Sequence, residues 1–340
     1  MGLKSLWNTG KWNDSRNTSP NDSWLSGQWD VFNVGSSKSG KTITKNNAQT
    51  IPAIYNAVQI YADAISSLPI NIMTKRGDSI TKNTTHPVNK LFTNEPNSLM
   101  TTSTYWQLMV QDILMWGNAY SIIEFNNANF RPISILPVHP SNVEVEIIRG
   151  VLWYTFKTAD GDIKLDQSNV LHFRGLGDSV MGKSVIDCAK DNLELGAAAE
   201  EFGSRFFGNG ASMTGVLETD VGLSDKAYTN ISNSFSNRNG GLANAAKPLI
   251  LEEGLKYKPV SISPDQAQFL DTRRFSIEDV ARWFNLPPHK LKDLTRATFS
   301  NIEEQDLNFV KESILPKVIA IEQELKRKLL RETEKAHTYF

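Results

Sequence analysis

The sequence predicts an α+β fold, on three observations. Residues 119–173 are a series of short apolar runs broken by turn residues, the pattern of antiparallel hairpins rather than of βαβ units. Two long helical patterns, Ser184 to about Phe207 and Pro264 to Phe284, enclose a smaller β-α-β stretch at 209–263. From Ser300 onward an apolar stripe at Leu307, Val310, Ile314, Val318, Ile321, Leu325 and Leu329 advances in steps of three and four, which predicts one long helix. Ser300 and Glu303 have the spacing of a capping box at its start. Pro316 sits inside the stripe. It cannot donate to the carbonyl of Glu312 and its ring crowds that turn, so a kink is expected there rather than an end. At ~1.5 Å per residue the element is roughly 45 Å long and needs a large body to bury it.

Composition bounds the rest. The chain has 340 residues, 40% hydrophobic and 21% charged, enough for two or three substructures with a sizeable core. The net charge of −1 argues against clamping nucleic acid by bulk electrostatics. One cysteine, Cys188, excludes an internal disulfide framework and suits a reducing compartment. The histidines (His86, His139, His172, His289 and His337) have no zinc-site spacing. No apolar run approaches the ~20 residues of a membrane span. The N-terminus lacks a signal-peptide core, and Met1-Gly2-Leu3-Lys4-Ser5-Leu6 departs from the myristoylation pattern at its last position.

In chain order, residues 1–49 read as an extended arm rich in Asn, Ser, Thr and Gly. Trp7, Trp12, Trp24 and Trp29 in this arm are half of the eight tryptophans of the chain. Tryptophans without a core of their own often dock into another surface; the plainer reading is a disordered tail with chance aromatics. From Thr50 a helical pattern (Ile51, Ile54, Val58, Ala62, Ile65) stops before Pro69, a strand follows at Leu68 to Thr74, and Arg76-Gly77-Asp78 is read as a plain turn. Thr101 to Trp116 is a second amphipathic helix closed by Gly117-Asn118. The β runs are Ile122-Ile123, Ile133 to Leu136, Val143 to Ile148, Leu152 to Phe156 and Val170 to Phe173. Asn126 to Asn129, Pro140, Arg149-Gly150 and Asp160-Gly161 separate them. A loop, Arg174 to Lys183, leads into the helix from Ser184, which Gly208-Asn209-Gly210 ends. Within 209–263 come a strand at Met213 to Glu218, a polar helix at Leu223 to Asn237, a break at Asn239-Gly240-Gly241, and a hairpin of Leu249 to Glu252 with Leu255 to Val260 around Gly254. The following helix places Leu270, Ile277, Ala281 and Phe284 on one side.

One motif suggests chemistry. Gly177-Asp178-Ser179-Val180-Met181-Gly182-Lys183-Ser184 matches the P-loop pattern, follows a strand and opens a helix. Gly35 to Thr42 matches as well, yet leads into Ile43-Thr44-Lys45-Asn46-Asn47, which is no helix. P-loop enzymes also need a parallel sheet, and these strands read as antiparallel. The plainer reading makes Ser184 a helix cap and Gly182 a turn residue. No nucleophile elbow and no Cys/His pair at useful spacing occurs. Glu200-Glu201 and Glu303-Glu304 read as solvated helix faces. Lys290, Lys292 and Arg296 lie in the loop before the long helix, as an ordinary solvated turn or as a mobile loop that touches phosphates weakly.

The order of elements resembles the portal proteins of tailed bacteriophages, in the shorter lineage typical of long-tailed phages. Val58 to Pro69 is similar to the family's first helix and its Ser-Leu-Pro exit. His86-Pro87, Asn94 to Asn97 and Gly117-Asn118-Ala119-Tyr120 are similar to the next landmarks. Val170 to Phe173 with Gly182 and Ser184 match a strand-to-helix junction at which Lys183 is a variable position. Asn209-Gly210-Ala211, Asp265-Gln266, Leu286-Pro287-Pro288, Asn301 and Leu315-Pro316 complete the series. The likeness covers about residues 50–330. The Trp-rich arm departs from it, as does a C-terminus that stops soon after the long helix.

The resemblance implies a portal-type fold: a mixed wing (50–183), stem helices (184–208 and 264–284), a clip (209–263), a tunnel loop (285–299), and a kinked spine helix with a short crown (300–340). It implies a structural protein with no catalytic residue, cofactor, metal or membrane. The implied assembly is a dodecameric ring at one capsid vertex through which double-stranded DNA enters and leaves. Its implied partners are the major capsid and scaffold proteins, the terminase large subunit and head-completion or adaptor proteins, in the virion and in the host cytoplasm during assembly. Lys290, Lys292 and Arg296 would face DNA. Leu223, Tyr228, Asn239, Leu255 and Tyr257 would dock partners on the clip, and the four arm tryptophans would anchor to a neighbour or the capsid. The alternative reading is a P-loop NTPase using Gly177 to Ser184.

Overall fold

The computed structural model describes residues 42–159, 161–208, 215–219, 256–259, 269–293 and 299–340, with Ser224, Lys226, Tyr228 and Thr229. Of these, Ile43–Lys190 and Asp279–Phe340 form one compact unit and Asp191–Glu278 the other. The helices are α1 (Pro52–Ser66), α2 (Lys90–Thr93), α3 (Thr102–Trp116), α4 (Val185–Gly208), α5 (Phe269–Phe284), α6 (Phe299–Asn308) and α7 (Leu315–Leu329). The strands are β1 (Met73–Arg76), β2 (Ser79–Lys82), β3 (Asn118–Phe125), β4 (Pro132–Val138), β5 (Val143–Ile148), β6 (Val151–Phe156), β7 (Ile163–Asp166), β8 (Val170–Arg174), β9 (Gly215–Glu218), β10 (Lys256–Pro259) and β11 (Thr338–Tyr339). The fold is α+β, and every strand pairing described is antiparallel.

In the larger unit, α1 starts with Pro52 in its first turn, where a missing N–H costs no hydrogen bond. It buries Ile54, Ala57, Val58, Tyr61, Ala62 and Ile65 on one face. The side chain of Thr101 caps α3 by accepting from the Thr104 N–H at 3.3 Å. Gly117 ends α3 in the left-handed region at φ 80°. Two three-stranded sheets follow, in the orders β4-β3-β8 and β5-β6-β7. Arg149 and Gly150 turn β5 into β6 with φ of 51° and 80°, the two positive angles that suit a tight hairpin. Tyr120, Ile122, Leu136, Val138, Tyr154, Phe156 and Val170 form a buried apolar cluster contributed by both sheets. At roughly 1.5–3 kcal/mol per buried large apolar side chain, it is a major stabilising element of this unit.

A buried polar chain ties this core to the C-terminal helix. His172 Nδ1 lies 3.1 Å from the Tyr154 hydroxyl and its Nε2 lies 3.0 Å from Asn118 Oδ1. A neutral ring satisfies both neighbours: Tyr154 donates to Nδ1 and Nε2–H donates to Asn118. Burial holds His172 in that form by pushing its pKa down to about 3. From α7, Glu324 accepts from the His172 backbone N–H at 3.4 Å.

Several elements differ from expectation. The strand expected at Leu68 to Thr74 begins only at Met73, and β2 and β7 are additional. The strand expected at Leu255 to Val260 is β10, and it pairs with β9; its expected hairpin partner, Leu249 to Glu252, lies outside the described residues. The helix α6 already includes Phe299, so Ser300 is a helical residue rather than the cap. The residues after α7, expected to lead to a crown, run back instead. Thr338 and Tyr339 pair with Thr74 and Met73, and the Phe340 ring meets Phe92 edge-on at 5.6 Å. Glu334 clamps this return: Arg131 donates to its two oxygens at 2.6 and 3.0 Å.

Between α6 and α7 the chain stays helical through a six-residue π segment, Phe309–Ile314. The Leu315 N–H reaches the Val310 carbonyl, five residues back. Pro316 then falls in the first turn of α7. The wider turn absorbs what a proline would otherwise break. It also shifts the register of the stripe. Phe309 and Ile314 point inward with Ile321, Leu325 and Leu329, whereas Leu307 and Val310 are 61% and 55% exposed.

Candidate functional site

The basic loop was expected at 285–299. Residues 285–293 and the helix after it are described, while 294–298, with Arg296, lie outside the described residues. The loop begins where Asn285 takes φ 53° and stops α5. The Tyr61 hydroxyl donates to the carbonyls of Phe284 and Asn285 at 2.7 and 3.1 Å. Ser313, in the π segment, donates to the Asn285 carbonyl at 2.8 Å and accepts from its side-chain amide at 3.1 Å. Burial raises the Tyr61 pKa to about 12, so it remains a donor at any physiological pH. Lys317 lies over the Tyr61 ring at 5.0 Å, and burial lowers its pKa.

Next comes a short 3-10 turn, Pro288–Leu291, flanked by buried Leu286 and ending in buried Leu291. Its polar side faces α6. His289 Nδ1 lies 2.8 Å from Gln305 Oε1 and Nε2 lies 2.7 Å from Asp306 Oδ1. Lys290 Nζ reaches the same Asp306 oxygen at 2.7 Å and lies 5.5 Å from the centre of the Phe309 ring. Hydrogen bonds from Lys290 and His289 hold the Asp306 carboxyl below its usual range. Lys292 is exposed and takes φ 66°, ending the turn.

This geometry distinguishes the two described basic residues of the loop. Lys290 is an anchor with its charge neutralised, rather than a free contact. Lys292 is exposed and carries no ion pair among the described residues. The first half of the loop is fixed from three directions, by Tyr61, by Ser313 and by the Gln305/Asp306 pair. None of these partners was singled out in the sequence. The only signal for them was a histidine and a lysine placed before a helix that carries Gln305-Asp306 in its second turn.

The remaining candidates are less defined. Tyr228 is helical and 66% exposed, and Tyr257 lies in β10 opposite Leu217. Leu223, Asn239 and Leu255, and the arm residues Trp7, Trp12, Trp24 and Trp29, lie outside the described residues.

The P-loop match is occupied by internal structure. Gly182 N–H donates to Asn118 Oδ1 at 2.8 Å and Lys183 N–H donates to the Leu176 carbonyl at 2.8 Å. Lys183 Nζ pairs with Asp178 at 2.7 Å in solvent. Ser184 donates to the Met115 carbonyl at 2.6 Å and accepts from the Asp187 N–H at 3.2 Å, which caps α4. Gly182 is required by a crossing of backbones: a Cβ there would sit 2.1 Å from the Gly117 carbonyl oxygen. The strand before the motif, β8, is antiparallel to β3. The Gly182 N–H ties the loop to β3, the Lys183 N–H closes the loop on itself and the Ser184 hydroxyl ties it to α3, so these groups are used internally rather than as a phosphate cradle. Among the described residues no cluster of acidic, histidine or cysteine side chains could hold a metal. No described helix is long and apolar enough to cross a membrane.

Comparison with known proteins agrees with the chain order. The sequence model of the phage portal protein family matches residues 52–340. A probable portal protein of Streptomyces phage phiC31 is 30% identical over 317 residues, covering 89% of this chain and 69% of that one. The crystal structure of an HK97-family phage portal protein from Corynebacterium diphtheriae superposes with a TM-score of 0.64 at 17% identity, covering 84% of this chain and 91% of that one. A chain in the neck of a native gene transfer agent particle, computed with C12 symmetry, superposes with a TM-score of 0.57 at 18% identity, covering 86% and 83%.

Proposed function

The chain belongs to the phage portal protein family and serves as the portal ring of a capsid vertex, and from this premise we propose how its parts work. Twelve copies close head to tail into the ring, as the C12 neck of the gene transfer agent particle suggests by analogy. Residues 50–183 are the wing, 184–208 and 264–284 the stem, 209–263 the clip and 285–299 the tunnel loop, with the helix from 300 as the spine. Double-stranded DNA passes along the axis. The terminase large subunit docks on the clip during packaging and head-completion proteins dock there later, at a surface that includes Leu223, Tyr228, Asn239, Leu255 and Tyr257. The wing meets capsid and scaffold proteins in the host cytoplasm during assembly. The protein is structural and does no chemistry of its own.

The observation that supports this loop assignment is its electrostatics. A channel that holds many phosphates stalls duplex, because each neutralised phosphate deepens binding and its salt dependence. Lys290 is already paired with Asp306, so of the two lysines in the described part of the loop, Lys292 alone is exposed with no ion pair among the described residues, which leaves a shallow charge for DNA. The test is packaging with the motor supplied. Replacing Lys290, Lys292 and Arg296 by alanine is expected to change DNA translocation. Unchanged packaging by that variant would remove the case for this loop as the DNA contact.

A further inference from the structure

An apolar groove of about 340 Å³ runs between the end of α1, the 68–73 segment, α7 and the last residue of the chain. Its walls include Ile65, Leu68, Met73, Val318, Leu325 and Phe340. Its polar groups are few. Burial raises the pKa of Glu322. The Asn71 amide nitrogen bonds the Pro69 carbonyl at 3.4 Å, which leaves its oxygen to accept. Trp106 also lines the groove, and its buried indole N–H has no acceptor among the described residues. A wall of this kind is matched by an aromatic side chain that brings one N–H donor on a backbone that brings carbonyls. The volume lies at the small end of the roughly 300–1,000 Å³ of ligand sites, so it suits one or two side chains of a peptide.

The chain supplies such a peptide itself. Residues 1–41 precede the first described residue, and Trp24-Leu25-Ser26-Gly27-Gln28-Trp29-Asp30-Val31-Phe32 is their most apolar stretch. The arm joins the larger unit at a fixed point. Ile43 is buried, and Lys45 pairs with Asp187 at 2.8 Å while lying 5.1 Å from the centre of the Trp116 ring. From there residues 48–51 lead straight into α1, and the groove begins where α1 ends. The 15-residue α1 spans about 22 Å. Between Trp29 and Ile43 the sequence is rich in Gly, Ser and Lys. The 13 residues between them can span at most about 45 Å. That length exceeds the span of α1, so the segment can reach the groove from Ile43.

We propose that the groove between α1 and α7 is the docking site for the Trp24–Trp29 segment of the same chain, with an indole seated among Ile65, Met73 and Val318 and its N–H donated to Glu322 or Asn71. The arm is then a strap across the wing, and it covers an apolar surface that would otherwise face solvent. This goes beyond the ring reading and does not depend on it.

The test uses the full-length chain with p-benzoylphenylalanine in place of Leu68, a rim residue that is 43% exposed, so the core is untouched. Irradiation followed by peptide mass spectrometry is expected to link position 68 to residues 24–32, with the product running as a monomer on a denaturing gel. Trp24→Ser with Trp29→Ser is expected to lower that yield at least tenfold. Three results would each overturn the proposal: a link to no arm peptide, a dimer band that places a neighbouring copy's arm in the groove, or a yield unchanged by the double substitution. The readout works on the purified chain whether or not rings form, so its failure is distinct from failure of the portal reading.

Discussion

His289 and Asp306 face each other across the entrance to the long C-terminal helix, with Nε2 and Oδ1 2.7 Å apart and the histidine side chain 9% exposed. Gln305 takes the other ring nitrogen. The clasp makes residues 286–292 an extension of α6, so the exposed Lys292 projects from a fixed base.

The clasp predicts a local effect. His289→Ala removes both contacts, and because Asp306 is 45% exposed the loss is expected to be about 1 kcal/mol rather than that of a buried charged bond. Hydrogen exchange at residues 286–292 should quicken while exchange in β3 stays unchanged. Unchanged protection at 286–292 would mean that Tyr61 and Ser313 hold the loop without the histidine.

Gly182 and Lys183 are adjacent but should behave oppositely. Gly182→Ala forces a Cβ against the Gly117 carbonyl oxygen and is expected to cost about 3 kcal/mol. Lys183→Ala removes only a solvent-exposed pair with Asp178 and should leave the melting temperature and packaging as they were. Loss of packaging in the lysine variant alone would revive a nucleotide site.

Pro316 follows a π segment and occupies the first turn of α7, a position at which a helix tolerates proline. Pro316→Ala should therefore change stability by less than about 1 kcal/mol in denaturant unfolding. A gain near the ~3 kcal/mol of an interior helical proline would show that the π segment does not accommodate it.

Acid stability follows from His172. In the unfolded chain a histidine takes up its proton near pH 6.5, whereas folded His172 does so only at about 3. The unfolded state therefore binds the proton first. Stability is fully present above pH 6.5 and falls as pH drops toward 3, by about 1.4 kcal/mol per unit from this residue. Burial lowers the pKa of His86 and His139 too, so they add to the slope with the same sign. Between pH 7 and 5, His172→Gln should lose less stability than the parent chain. Equal slopes would place the acid sensitivity elsewhere.

Much of this architecture is legible in the sequence where the signal is local. Thr101 and Gly117 mark both ends of α3, Arg149-Gly150 marks the β5–β6 turn, and the short apolar runs mark the sheets. The ordered landmarks from Val58 to Pro316 carry the family. What escaped depends on distant partners. Thr338 and Tyr339 become a strand only because β1, more than 260 residues earlier, offers its edge. The π segment carries no periodic signal of its own, so Leu307 and Val310 were counted into a buried stripe that they leave. Lys290 reads as a free cation until α6 places Asp306 beside it.

A portal subunit has to close with its copies into a ring. Electron microscopy of the purified protein, with mass photometry of the same sample, tests it most directly. Rings of about a dozen copies around a central hole are expected. A homogeneous monomer or small oligomer that stays unassembled in the presence of capsid and scaffold proteins would contradict it.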